Sequence, residues 1–275
     1  MATDELSNQV TSLYSHDETV AAITSYYTLL SRAHAPNSWA DLQYPPPEGW
    51  PQFDDPDVIA GLNLTDEALE LVRHIPYFLR DELHLLPDVG SYSYIEDREL
   101  SRAAESGASL RRGETTPGED EAPSHFVLLG GIIETRDRGS DFWIDTKRGN
   151  AVVGNWHGEG LTGPYIRPDG IYPEPDDNSY VDLFHRYDGY GDHNCWRIST
   201  FFPACERLLR ELEWIPGMDE DDINRLYETE SRDSDCWLDF KQMRQIMRNN
   251  GWPGDDWNPD GVLAEMDRLG WPRDV

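Results

Sequence analysis

Asp141-Phe142-Trp143-Ile144-Asp145, Thr146-Lys147-Arg148-Gly149-Asn150 and Ala151-Val152-Val153-Gly154-Asn155-Trp156 follow one another near the middle of the chain. Two segments rich in aromatic and β-branched residues flank a short polar stretch holding Gly149 and Asn150, which is the signature of a β-hairpin. Just upstream, Phe126 to Thr135 places Val, Leu and Ile around Gly130-Gly131. That pattern reads as a further strand with a bulge or a close backbone approach at the glycines. Residues 91–95, Ser-Tyr-Ser-Tyr-Ile, alternate as a half-buried strand does, and Tyr180 to Phe184 is another strand candidate. A Gly/Pro-rich stretch, Gly158 to Pro175, implies long loops between them.

Outside this centre the period changes from strand to helix. Ser15 and Glu18 have capping-box spacing, and Val20, Ile23, Tyr26, Tyr27, Leu30 and Ala33 follow at helical intervals. Asn37 to Pro56 is turn-rich around Tyr44-Pro45-Pro46-Pro47-Glu48-Gly49-Trp50-Pro51, where successive prolines favour an extended polyproline path. A second helix is expected from Thr65, with Asp66 and Glu67 at its positive end and Pro76 as its stop. From Glu96 to Ser124 no aromatic residue occurs, and the composition predicts a flexible insert at 96–124. The C-terminal third, 199–275, reads as helical. Thr200 is the expected cap of a helix ending at Pro216, and Asp219 opens a short one holding Ile223, Leu226 and Tyr227. Trp237 to Gly251 spans the next, and Asn258-Pro259 through Gly270 the last, with Pro at its first turn and Gly just past its end. The predicted class is α+β, a central, mostly antiparallel sheet flanked by amphipathic helices. Gly-Trp-Pro occurs at 49–51, 251–253 and 270–272, each predicted to turn the chain through glycine and pin it through tryptophan.

The chain has 275 residues, with 53 acidic and 23 basic side chains and a formal charge of −30. That balance argues against nucleic acid as a partner, because phosphate affinity comes from Lys and Arg displacing counterions. It argues equally against an anionic membrane surface, and no apolar run reaches the roughly 20 residues of a membrane span. The acidic start Met1-Ala2-Thr3-Asp4-Glu5-Leu6 is unlike a secretory signal. Cys195, Cys205 and Cys236 are odd in number and widely spaced, as reduced thiols of a cytoplasmic or nuclear protein are. The chain is therefore not expected to be secreted.

Motifs of known chemistry are sparse. Asp256, Asn258, Asp260, Gly261 and Asp267 match the oxygen spacing of a calcium loop, but Asn258-Pro259 reads better as a helix start, so no metal and no cofactor are assigned. His185 and His193 lie with Asp182, Asp188 and Asp192 in a Tyr/Gly-rich loop over 187–193, where imidazole and carboxylate suit proton transfer or a divalent ion. A solvated acidic loop is the simpler reading. His74, before Ile75-Pro76-Tyr77, is more simply a packed histidine. No nucleophile elbow or dinucleotide fingerprint occurs. The tryptophans either fill the core or line a groove, and the core is the simpler assignment.

Several segments in order, Tyr44 to Pro51, Asp66 to Leu71 into Arg73-His74-Ile75-Pro76-Tyr77, Asp141 to Thr146 with Gly149, and Asn250-Gly251-Trp252-Pro253, resemble a fungal protein family grouped with the SUKH superfamily. That superfamily includes yeast cell-wall-assembly regulators and bacterial toxin-immunity proteins. The resemblance covers most of the chain apart from the insert, and implies a single SUKH-like α+β domain over 1–275 that binds other proteins and carries no shared catalytic residues. It marks Trp50, Tyr77, Trp143 and Asp145 as binding candidates and implies a protein partner with a basic surface, met through charge complementarity. The rival is a small-molecule enzyme with a Trp/Tyr-lined pocket, His74 or His193 as base and Asp145 or Asp192 as orienting acid. A third reading is a metal-dependent hydrolase using Asp188, Asp192 and His193.

Overall fold

The computed structural model describes residues 14–35, 41–79, 83–87, 89–95, 123–131, 140–155, 192–216, 226–228 and 237–270. Its elements, in chain order, are α1 (His16–Ala33), β1 (Leu42–Gln43), a 3-10 turn (Pro51–Asp54), α2 (Pro56–Leu62), α3 (Asp66–His74), β2 (Tyr77–Phe78), β3 (His84–Leu86), β4 (Val89–Ser91), β5 (Phe126–Gly131), β6 (Ser140–Asp145), β7 (Asn150–Asn155), β8 (Asp192–Arg197), α4 (Ile198–Glu211), β9 (Trp214–Pro216), β10 (Leu226–Glu228), α5 (Trp237–Asn249) and α6 (Pro259–Leu269). β3 to β8 form one antiparallel sheet in sequence order, and β1–β2 and β9–β10 form two small antiparallel pairs. The class is α+β.

The hairpin lies where its residues predict. β6 and β7 pair from Ser140↔Asn155 to Asp145↔Asn150, and Gly149 turns the chain at φ 71°. Alternation sends Phe142 toward α4, where its ring meets Phe201 at 5.3 Å and Phe202 at 6.1 Å. α1 packs along α4, with Tyr26 5.8 Å from Phe202 and its buried hydroxyl donating to the Leu85 carbonyl of β3. One hydrophobic cluster joins this helical layer to the sheet.

Both expectations for Gly130 hold. The β5–β6 register slips between Leu128 and Gly130, and a Cβ at Gly130 would sit 2.4 Å from the Gly90 carbonyl oxygen. The caps at Ser15, Thr65 and Asn258 each accept a backbone N–H, and Gly270 closes α6 at φ 73°.

Several features differ from expectation, most of them for a tertiary reason. The strand expected at 91–95 ends at Ser91. Tyr92 N–H still donates to Leu129 O at 3.0 Å, after which the chain turns so that the Tyr94 hydroxyl accepts from Leu128 N–H at 3.0 Å. α2 was not anticipated, although Asp55 caps it and Pro56 occupies its first position. Asp192 and His193 belong to β8 rather than to a loop.

Thr200 is not a cap. β8 runs directly into α4 at Arg197, and the Ile198 N–H is taken by the Gly149 carbonyl at 3.1 Å. That helix stops at Leu212, at φ 58°, where Leu212 and Glu213 return their N–H groups to Leu209 and Leu208. The residues up to Pro216 then become β9, and Leu226 and Tyr227, expected in a helix, pair with it as β10. Residues 96–122 of the insert, the strand expected at 180–184, and His185, Asp182 and Asp188 lie outside the described residues.

Candidate functional site

Strand alternation puts Asp141, Trp143 and Asp145 on the face of β6 opposite Phe142 and Ile144. Register extends that row across the sheet. Asp145 is flanked by Phe126 on β5 and Asn150 on β7, and Asn150 by Arg197 on β8. The result is a polar end of the sheet at the β6–β7 turn.

Asp145 is its hub, with no exposed surface. Its Oδ1 accepts from the N–H groups of Lys147 at 2.9 Å and Arg148 at 3.1 Å, and its Oδ2 accepts from Arg148 Nη1 at 2.9 Å. A carboxylate that bonds backbone two residues ahead is the usual organiser of such a turn. Arg197 Nη1 donates to Arg148 O at 3.0 Å and to Asn150 Oδ1 at 3.3 Å, tying the turn to the start of α4.

Among the described residues, the imidazole that approaches Asp145 is that of His125, with Nε2 3.8 Å from Oδ1. That is too long for a hydrogen bond, and His125 Nε2 is buried without a hydrogen-bond partner. The Thr146 N–H and hydroxyl both donate to the His125 carbonyl, at 3.0 and 2.9 Å, so the backbone holds the pair in place. Burial pushes the His125 pKa below its ordinary value. The Asp145 charge opposes that shift, and Lys147 and Arg148 reinforce it. His125 is the residue that sequence reasoning missed. No motif marks it; only the register Phe126↔Asp145 brings it there.

The other candidates do not converge on this hub. His74 closes α3, its Nδ1 2.9 Å from the Glu70 carbonyl and 3.5 Å from the Glu70 carboxylate, with its ring edge-on to His16 at 5.3 Å. Asp192 and His193 take register positions opposite Asn155 and Gly154. That is the far end of β7 from Asn150, about 17 Å away at strand rise. Of the expected pairs, those of His74 or His193 with Asp145 are not brought together at this hub.

Trp50 and Tyr77 do meet, with ring centroids 6.0 Å apart, but both polar ends are committed. Trp50 Nε1 donates to Ile75 O at 2.8 Å, and the Tyr77 hydroxyl to Val72 O at 2.6 Å. Burial raises the Tyr77 pKa well above its ordinary value. Trp143 is buried with its indole N–H unpaired, edge-on to Phe126 at 6.2 Å.

Among the described residues no group of three or more His, Cys, Asp or Glu is placed to hold a metal ion. Asn258, a member of the calcium-loop pattern, instead caps α6, and Asp260 lies in that helix's first turn. Cys195 and Cys205 are buried, and burial raises the Cys205 pKa. No helix among the described residues is long and apolar enough to cross a membrane. Comparisons with protein-family models, with curated proteins and with solved structures find no match for the chain.

Proposed function

We propose that the protein is a SUKH-like interaction module of the cytoplasm or nucleus, without catalytic activity, that docks a protein partner through an acidic surface. The observation carrying this reading is the stretch from Glu48 to Glu70. Glu48, Asp54, Asp55, Asp57, Asp66, Glu67 and Glu70 are all exposed there, and no Lys or Arg lies between them in sequence. The cation that follows, Arg73, sits 3.3 Å from Asp54 and 3.8 Å from Glu70. Such a surface steers a basic partner and loses affinity as salt screens it.

Calorimetric titration with a lysine-rich peptide tests this by comparing two triple variants that each remove three charges. Asp54→Asn/Asp55→Asn/Asp57→Asn keeps an Asn able to cap α2, and Asp255→Asn/Asp260→Asn/Asp267→Asn neutralises exposed acids around α6. The first is expected to weaken binding about tenfold, since each exposed ion pair contributes roughly 0.5 kcal/mol. The second is expected to change it little. Equal losses from both would mean that the peptide responds to net charge alone and would defeat the reading.

A second reading, an enzyme with a His/Asp pair, draws on the approach of His125 to Asp145. Three donors already occupy that carboxylate, so it serves the turn before it serves the imidazole.

A further inference from the structure

The segment Tyr44-Pro45-Pro46-Pro47 has a definite form. Proline fixes φ near −65°, and a residue that precedes proline is held in the β or polyproline region. Tyr44, Pro45 and Pro46 each precede a proline, so Pro45 and Pro46 take polyproline geometry and Tyr44 enters it from an extended backbone. Pro47 then enters a turn closed by Gly49 N–H to Pro46 O at 2.8 Å. A polyproline helix has three residues per turn, so one residue in three faces the body and two face outward. The burial follows that rule: Pro45 is half-buried, while Tyr44 and Pro46 are exposed.

Tyr44 is 51% exposed, the largest fraction among the exposed large hydrophobic side chains of the described residues. It is nevertheless held, because its hydroxyl lies 2.8 Å from Thr28 Oγ1 on α1. The exposed acids Asp41 and Glu48 lie on either side of the ridge in sequence.

We propose that the Tyr44–Pro46 ridge is a preformed ligand for the aromatic-lined groove of a proline-recognition domain whose rim is basic. Grooves of that kind read the outward residues of a polyproline helix and gain from a ligand that has little conformational entropy to lose. Asp41 and Glu48 supply the charge that selects a basic rim over an acidic one. The inference rests on the interaction-module reading above and names the partner class for it.

The test is a titration of the full chain into purified, isotope-labelled WW-type and SH3-type domains with basic groove rims, followed by chemical-shift mapping. Binding is expected to map to the aromatic groove and to weaken about tenfold in Tyr44→Ala and in Pro46→Ala. Pro51→Ala, an exposed proline off the ridge, is the matched control and is expected to bind as the parent chain does. Melting temperatures of all three variants separate a lost contact from a lost fold. The ridge proposal is overturned if no domain binds at about 1 mM, or if binding ignores both ridge substitutions. The Asp54/Asp55/Asp57 triple variant separates the two ideas. Salt-sensitive binding to the lysine-rich peptide that this triple weakens, in a chain whose ridge engages no groove, leaves the acidic-surface reading standing and the ridge proposal refuted.

Discussion

Gly49-Trp50-Pro51 and Gly251-Trp252-Pro253 are the same tripeptide at two distant points, and the fold uses their glycine and their indole alike, although only Trp252-Pro253 is a cis peptide bond. Each glycine adopts a left-handed turn, at φ 85° and φ 91°. Each indole N–H then donates to a carbonyl at the end of a helix, Trp50 to Ile75 beyond α3 and Trp252 to Leu209 in the last turn of α4. Carbonyls at helix ends have acceptor capacity that the helix itself does not fill, as at Ile75 beyond α3 and at Leu209 beside its bond from the Leu212 N–H. A tryptophan one residue after a turn thus both ties down a neighbouring helix end and anchors the loop. The two corners differ in depth. Trp50 is half-buried, whereas Trp252 is 5% exposed, meets Trp257 edge-on at 5.1 Å and lies under the Arg32 guanidinium at 5.9 Å. Arg32 Nη2 in turn donates to Gly254 O at 2.8 Å, and Trp257 Nε1 to Arg32 O at 3.0 Å, so the second corner fastens the 251–258 loop to the end of α1. Depth, not motif, sets how much each corner contributes.

The largest expected effect separates the two. Trp252→Ala opens a cavity in the core and removes one of the two donors to the Leu209 carbonyl, the Leu212 N–H remaining, for a loss of about 4 kcal/mol in urea unfolding. Trp50→Ala is expected to lose about 2 kcal/mol, and equal losses would break the argument from depth. Glycine replacement gives the next effect. A Cβ at Gly251 would lie 2.5 Å from the Asp256 backbone oxygen, so Gly251→Ala is expected to cost about 3 kcal/mol at its positive φ. At Gly49 the nearest atoms are Arg73 Cγ at 2.3 Å and Cδ at 2.8 Å, on a side chain whose Nη2 donates to Phe53 O at 2.6 Å, and about 3 kcal/mol is expected there as well. Smaller still is Trp→Phe at either corner, which keeps most of the ring and removes the N–H. About 1 kcal/mol at both sites, measured by the same unfolding curves, would show that the hydrogen bond is the shared element; a loss at one alone would reduce the likeness to coincidence of sequence.

What the sequence makes legible follows from the range of the physics involved. Caps, turn glycines and the β6–β7 hairpin depend on neighbours within a few residues, and Ser15, Thr65, Asn258, Gly149 and Gly270 are where local chemistry puts them. β8 is not legible in that way, because Asp192-His193-Asn194-Cys195 lacks the β-branched residues that mark a strand and is held by pairing with β7. The stop at Leu212 is equally hidden, since a left-handed leucine has no compositional signal and a glycine was the residue to look for. At the site, Asp145 is legible as the last residue of a strand beside a polar turn, but its neighbour His125 is twenty residues away in sequence and adjacent only through register. Trp50 and Tyr77 are named in the sequence only as separate binding candidates, and nothing local shows that their rings meet or that their polar atoms are satisfied by Ile75 and Val72.

The corners and the hairpin end also differ in kind, and pH distinguishes them. Trp50 and Trp252 bond through neutral groups, so the stability lost on Trp→Phe is expected to be the same at pH 7 and pH 5. The hairpin end contains His125, whose folded pKa is lowered chiefly by burial and opposed by Asp145, while Lys147 and Arg148 also disfavour the imidazolium. As pH falls from the ordinary imidazole value toward this lower one, the unfolded chain takes up a proton that the folded chain refuses. Proton uptake by the unfolded state lowers stability, so the contribution is fully present above the ordinary value, shrinks through that window and is flat below it. The parent chain is therefore expected to lose more stability between pH 7 and pH 5 than His125→Gln does, and the difference between the two is the contribution of this one ring. Urea unfolding at the two pH values measures it, and parallel losses in parent and variant would mean that the 3.8 Å approach to Asp145 leaves the imidazole as freely protonated as in the unfolded chain.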